Sequence, residues 1–279
     1  MAENSGIAWT THTFNPWIGC TKVSPGCDHC YAETWNARFG GGVAPNWGPG
    51  APRRRTDLKN WNRPLRWQRL RRQAIDAGEN PPPVRVFTAS LADVFDNEVP
   101  DEWRRDLFEL MLKCPDLDWQ VVTKRIGNVS DMLRRCAPDG ILPTNAILIA
   151  TIVNQEEADR DMPKFRTVAM SGAARFCGVS FEPALGHVDW TPWLDFLDWI
   201  IIGGESDQGK AKARPFYLSW ARSTIDQCHD HGMVSVFMKQ VGSCAVGDQG
   251  VLLWTNDKAG AEPIEWPADI RVREFPVMR

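Results

Sequence analysis

Three cysteines, Cys20, Cys27 and Cys30, fall within the stretch GCTKVSPGCDHCYAE, residues 19–33. Thiolates are soft ligands that suit zinc, copper(I) or iron–sulfur clusters. A structural zinc takes four ligands in a closed tetrahedron. No second cysteine pair follows nearby, so His12, His29 or a distant cysteine would have to complete such a site. The other arrangement places the three thiolates on three irons of a [4Fe–4S] cluster and leaves the fourth iron open to an exogenous ligand. Such clusters usually have four thiolates, so an open iron marks a place for chemistry rather than electron transfer alone. Pro25 and Gly26 turn the chain sharply between Cys20 and Cys27. Tyr31, directly after the third cysteine, is placed to shield one face of a bound group from solvent. From the residues alone, zinc and the cluster both stand.

The other five cysteines, Cys114, Cys136, Cys177, Cys228 and Cys244, lie at long intervals in helix-like or strand-like sequence. They read as buried, reduced, small hydrophobes. A chain of 279 residues can build a large core and needs no disulfide framework. Its net charge of −3 excludes a general polycation that coats nucleic acid or an anionic membrane. The longest apolar runs, AILIATIV and DWIIIGG, are far too short to span a bilayer. The opening MAENSGIAWTTHTFNP has no basic segment ahead of an apolar run, so a soluble cytoplasmic protein without membrane contact is expected.

Elements must then bring polar groups to the cysteine loop. Strands are predicted at Val84–Ser90, Trp119–Arg125, Ala146–Val153, Phe176–Pro183, Asp198–Ser206 and Val234–Gly242, with a further early strand near IAWTTHTF. Helix-like segments separate them: DEWRRDLFELMLKC, VSDMLRRC, EEADRDMPKFRTV and LSWARSTIDQCHDHG. In the first of these, Trp103, Leu107, Leu110 and Met111 follow helical spacing. Near-continuous apolar strands alternating with helices describe parallel strands covered by helices. The fold class is α/β, a full or partial (β/α) TIM-type barrel over 1–279, and a doubly wound open sheet is the alternative. Residues 15–35 are expected to form the loop that binds the metal or cluster, and 243–279 a C-terminal extension with hairpin-like pieces.

In either architecture the polar strand ends collect on one rim. That rim would carry Thr88, Ser90, Asp93, Thr123, Lys124, Arg125, Asn154, Ser180, Glu182, Glu205, Lys239 and Gln240, some of them merely helix caps. Gly203 and Gly204 of GGES would let backbone approach a ligand, and Glu205 could accept from an ammonium group; the plainer reading is a tight turn. Ser180 and Glu182 sit at a strand end that Pro183 stops, where a lone Glu is otherwise a cap or ion-pair partner. Lys239 reads as a rim ammonium or as a surface lysine with a buried stem. Lys124 and Arg125 suit an anionic ligand. The segment RRRTDLKNWNRPLRWQRLRRQ, 53–73, interleaves basic residues with two tryptophans, as nucleic-acid backbones and unstacked bases favour. Alternatively Leu65, Leu70 and Ala74 form the apolar stripe of an ordinary helix with solvated arginines.

A three-cysteine loop ahead of a run of βα units resembles the radical S-adenosylmethionine superfamily. The motifs FNPWIGC, CYAE, SLADVF, TKR, SFEPALG, DWIIIGGES and KQVG, in that order, are similar to those of a phage- and bacteria-associated branch of unknown function. The likeness runs over almost the whole chain. It departs from the common cysteine spacing of three residues then two, being six then two here, so the loop geometry differs. The resemblance implies a [4Fe–4S] cluster on Cys20, Cys27 and Cys30 whose open iron chelates S-adenosylmethionine. One electron from an external reductant then yields a 5′-deoxyadenosyl radical that abstracts hydrogen from substrate. It further implies that Ser90, Thr123, Lys124, Ser180, Glu182, Gly203, Gly204 and Glu205 face S-adenosylmethionine or substrate. Glu205, Lys239 and Asp93 are the candidate catalytic groups. A nucleobase, nucleoside or DNA substrate is expected from the basic segment and the phage association. The alternative is a non-catalytic nucleic-acid-binding protein stabilised by zinc or an iron–sulfur cluster.

Overall fold

The computed structural model describes residues 3–278 around one sheet of seven strands. These are β1 (His12–Thr13), β2 (Val84–Thr88), β3 (Leu117–Thr123), β4 (Ala146–Thr151), β5 (Phe176–Phe181), β6 (Trp199–Gly203) and β7 (Ser235–Gln240). Each strand pairs in parallel with the next one in the chain, so spatial order equals chain order. A doubly wound sheet reverses that succession at a switch point. This one never does, so the fold is a partial (β/α) barrel, curled and open between β1 and β7.

Both faces of the sheet are buried, which is why its strands are written as unbroken apolar runs. In β4, Ile147 and Ile149 point inward while Ala146, Leu148 and Ala150 meet the helices. In β6, Trp199 and Ile201 point inward and Ile200 and Ile202 outward. Helix α1 (Tyr31–Phe39) packs apart, with Ala32 in a small cluster with Ile18 and Leu91; the outer layer comprises α2 (Leu58–Asp76), α3 (Asp101–Lys113), α4 (Val129–Cys136), α5 (Gln155–Met170) and α6 (Leu218–His231). In α3, Leu107, Leu110 and Met111 are buried and Trp103 packs half-buried against the same core. Asn154 begins α5 by accepting from the Glu157 amide at 2.9 Å, so this rim residue is a helix cap. Gly232 ends α6 in the left-handed conformation (φ 77°). Among the described residues no helix is long and apolar enough to cross a membrane.

Helix α2 turns a different face inward from the stripe of Leu65, Leu70 and Ala74. Trp61, Pro64 and Trp67 are buried, whereas Leu65 and Leu70 are 40% and 48% exposed. The indole rings remove far more apolar area from water than leucine can, and they set the helix rotation. Trp67 stacks on His12 at 4.2 Å and Trp61 meets Phe14 edge-on at 5.6 Å.

The C-terminal stretch closes the open side beside β7. The Met238 amide donates to the Val272 carbonyl at 2.8 Å, and the Glu274 amide to Val236 at 2.9 Å. Phe275 then reaches the inner core, 5.7 Å from Trp199 and 5.1 Å from Phe237, with the Arg85 guanidinium over its ring at 3.6 Å. Phe275→Ala should destabilise the protein by about 2–3 kcal/mol, below the usual cost for a full core phenylalanine because the ring is half-buried. Urea unfolding would measure it; an unchanged midpoint would show that the tail plays no part in holding the barrel.

Candidate active site at the barrel mouth

The cysteine loop lies across the C-terminal ends of the strands. Cys20 follows the short strand Trp17–Ile18 and is held in register by the Gly48 amide, which donates to its carbonyl at 2.9 Å. Cys27 ends the 3-10 turn Pro25–Cys27, fixed by the Ser24 hydroxyl accepting from the Gly26 amide at 3.1 Å. Cys30 is the residue from which α1 starts. Gly26 carries no side chain for a reason: a Cβ there would stand 2.8 Å from Val153 and 3.3 Å from the Lys124 stem, so glycine lets the loop rest on the strand ends.

All three thiols are free and open onto one cavity of about 100 Å³, whose walls include Ser90, Asp93, Thr123, Lys124 and Arg125. A second cavity of about 380 Å³ adjoins it, sharing Gly26, Cys30, Tyr31, Lys124 and Thr151. Ser180, Glu182, Gly204, Glu205, Lys239 and Gln240 supply its polar wall, Trp9 and Phe87 its apolar one. Tyr31 stands between the two and donates from its hydroxyl to the Ser90 carbonyl at 2.7 Å.

Asp93 is an organising group. It accepts from the Thr123 hydroxyl (2.8 Å), the Phe95 amide (2.9 Å), the Lys124 amide (2.9 Å) and Arg125 Nη1 (3.2 Å). Arg125 in turn reaches Cys20 Sγ at 3.3 Å and the Thr21 carbonyl at 2.6 Å. Burial, reinforced by the Asp93 charge, pushes the Cys20 thiol up to about 12 against the pull of Arg125, and burial also raises Cys30. These thiols stay protonated at neutral pH.

Glu182 and Lys239 form an ion pair at 2.7 Å within the larger cavity, with Ser180 Oγ 3.4 Å from the other carboxylate oxygen. Gly203 leaves room for this pair: a Cβ there would lie 2.7 Å from Glu182 Oε1 and 3.2 Å from its Cγ. Gly204 is likewise filled by the Val241 carbonyl. The two glycines thus admit other parts of the chain, which is a sufficient reason for both.

Glu205 is fully engaged. Arg214 reaches its two oxygens from Nη2 (2.7 Å) and Nε (3.1 Å), the Arg214 amide adds 2.9 Å, and His29 Nδ1 lies 2.9 Å away. Arg214 also donates to the Pro25 carbonyl at 3.0 Å and to Asp28 at 3.2 Å, tying the end of β6 to the cysteine loop. Burial pushes the Glu205 carboxyl up, but hydrogen bonds from Arg214 and His29 outweigh it and hold the group below its usual value. The clamp therefore contributes stability above a pH of about 4.5, the ordinary value for glutamate, and loses it as pH falls through the lower folded value. Arg214→Gln should lower the thermal midpoint at pH 7 and do so progressively less in acid; an equal loss at both pH values would show that the carboxylate charge is irrelevant.

A deeper anchor is Arg53, whose side chain is 1% exposed. It binds Asp96 at 2.7 Å, Glu98 at 2.9 Å and Thr21 Oγ1 at 2.8 Å, and donates to the Ala51 carbonyl at 2.8 Å. Asn15 links β1 to the same region, donating to Ser90 Oγ at 2.9 Å and accepting from the Leu91 amide at 2.7 Å. Sequence read Arg53 only as the start of the basic segment 53–73, whereas it is buried and ion-paired, and it did not single out Arg214; neither sits in a periodic pattern that predicts its partners.

Neither histidine proposed as a fourth zinc ligand is turned to the thiols: His29 faces Glu205, and His12 stacks on Trp67. Among the described residues, no group of three or more His, Cys, Asp or Glu side chains is disposed to hold one metal ion.

A family model described as a protein of unknown function (DUF5131) matches residues 4–262. No curated protein matches the chain. Among solved structures, it is similar to a spore photoproduct lyase carrying a single cysteine-to-serine mutation, with 12% identity, 84% of this chain and 78% of that one covered, and a TM-score of 0.47. It is also similar to a doubly mutated spore photoproduct lyase with bound AdoMet and dinucleoside spore photoproduct, at 13% identity and a TM-score of 0.39; that match covers 68% of this chain but only 55% of the other. A third is the aldo-keto reductase AKR11C1 from Bacillus halodurans, at 14% identity, 63% and 54% coverage and a TM-score of 0.33.

Proposed function

We propose that this chain, which belongs to the DUF5131 family of proteins of unknown function, is a radical S-adenosylmethionine enzyme. The observation that carries the reading is the opening of three free thiols of one loop onto a cavity that continues into a larger, mixed polar and apolar one. Cys20, Cys27 and Cys30 would hold a [4Fe–4S] cluster. When bound, that group supplies the electron that splits S-adenosylmethionine into methionine and a 5′-deoxyadenosyl radical, having taken it from an external one-electron reductant.

The chain's own residues bind, orient and exclude water. Arg125 places positive charge 3.3 Å from Cys20 Sγ and, through Asp93, is locked to Thr123 and Lys124. The Glu182–Lys239 pair offers complementary charges to an amino-acid ammonium and carboxylate. Asp93 and Glu205, saturated by hydrogen bonds, act as positioning residues, which leaves Lys239 as the candidate to touch substrate. Trp9 and Phe87 line the larger cavity together with hydrogen-bonding side chains, a combination suited to a nucleobase or nucleoside. The reaction class we favour is hydrogen abstraction from such a substrate in DNA modification or repair.

Anaerobic reconstitution with iron and sulfide tests the cofactor directly. The expected outcome is a brown protein with about four irons per chain and a reduced-state electron paramagnetic resonance signal that changes on adding S-adenosylmethionine. A colourless protein holding one tight zinc would replace this reading with the zinc-stabilised binding protein.

A further inference from the structure

We infer that the exposed face of α2 is a docking surface for the sugar–phosphate backbone of a nucleic-acid duplex. Between Leu58 and Ile75 this helix carries Lys59, Arg63, Arg66, Arg69, Arg71 and Arg72 and no acidic residue; Asp76 is its last position. A helix that is merely solvated alternates charge sign and gains from pairs three or four residues apart. Here Arg63, Arg66, Arg69 and Arg72 follow one another at spacing three, so like charges repel along the surface. Of the helix's cations, Arg71 donates to the Pro81 and Pro82 carbonyls, and Arg72 pairs with Asp116 at 2.6 Å.

Lys59, Arg63, Arg66 and Arg69 line one surface groove of about 530 Å³ with Asn62, and the carboxylate in its wall is Glu3, 3.2 Å from Arg66. The four cations extend over about 15 Å of helix axis. That stripe is concentrated on a chain whose net charge is −3, so it is a local field rather than a global one. An anionic polymer with evenly spaced charge fits it, and duplex DNA carries about one negative charge per 1.7 Å of its axis.

The tryptophans decide what is read. Trp61 and Trp67, interleaved with the arginines in sequence, are 8% and 3% exposed and face the core. They offer no platform on which unstacked bases can lie. The surface therefore contacts phosphates and does not select sequence or single strands. The stripe begins at the rim: Thr56, two residues before α2, donates its hydroxyl to the Asn15 and Pro16 carbonyls, and Asn15 bonds Ser90 at the cysteine cavity. This inference stands on the helix and not on the cluster, so either can fail alone.

The test is fluorescence anisotropy with a labelled random-sequence 20-base-pair duplex and the full chain, before and after reconstitution. Affinity should fall about 100-fold between 50 and 200 mM salt, with a log–log slope near −3 to −4 for four neutralised phosphates. The triple variant Lys59→Glu, Arg66→Glu, Arg69→Glu should lose at least about 30-fold in affinity. The neutral set Lys59→Gln, Arg66→Gln, Arg69→Gln should flatten the slope by about 3. Arg134→Glu, an exposed reversal on α4, should leave binding within about twofold. Any of four results would overturn the inference: no salt-dependent duplex binding, an equal loss in the Arg134 control, preference for a single strand, or binding to phosphatidylglycerol vesicles in place of the duplex.

Discussion

Cys27→Ala should abolish cluster assembly, leaving less than about a tenth of the iron that the reconstituted parent holds. Loss of a residue that only orients a metal ligand typically costs 10–100-fold in affinity or activity; loss of a ligand should exceed about 100-fold. Cys27 is the most buried of the three and sits at the end of the turn that Ser24 and Gly26 fix. The informative control is Cys244→Ala, which removes a half-buried thiol elsewhere in the chain and should retain full iron content. Metal analysis and the visible absorption band would read both. Equal iron in the two variants would remove the cysteine loop from the account.

Arg53→Met should be the most damaging substitution outside the cysteines, at about 3–5 kcal/mol. The side chain is 1% exposed, and its partner Asp96 is 3% exposed. Methionine fills the stem but leaves a buried carboxylate without its neighbouring guanidinium, and it abandons the loop carbonyls of Asn46, Gly48 and Ala51. A thermal midpoint lower by on the order of 10 °C follows for a chain of this size. Because Arg53 also holds Thr21, next to Cys20, cluster retention should fall with it. Calorimetry together with iron content would check the pair; a shift under about 2 °C would mean that water replaces the arginine without cost.

Much of the fold was legible because buried parallel strands have no polar face to blur them. Val84–Thr88, Ala146–Thr151 and Trp199–Gly203 all lie inside the predicted windows. The windows overran at their C-terminal ends, where Lys124, Arg125 and Glu205 already belong to the rim loops. The first strand shrank to His12–Thr13, held mainly by pairing with β2 rather than by its own composition. In α2, spacing alone could not say whether leucines or tryptophans would face inward; the ring contacts with His12 and Phe14 decide that, and both come from far along the chain.

The candidate site was legible as a set of strand ends, not as a set of partnerships. Sequence placed Ser180, Glu182 and Lys239 on one rim, and the larger cavity gathers them. It could not show that Glu205 is saturated, because its partner Arg214 lies in an irregular loop and reaches Pro25 across 189 positions of chain. Nor could it show that Gly203 makes room for Glu182. Such facts are set by long-range packing, which leaves no local period to read.

The central claim is that the three-cysteine mouth cleaves S-adenosylmethionine by one-electron chemistry. The most direct measurement is anaerobic: reduce the reconstituted chain with dithionite, add S-adenosylmethionine, and quantify 5′-deoxyadenosine by chromatography, with and without duplex DNA. We predict 5′-deoxyadenosine well above the level given by Cys27→Ala. A protein that carries a full cluster yet yields no 5′-deoxyadenosine under either condition would contradict it.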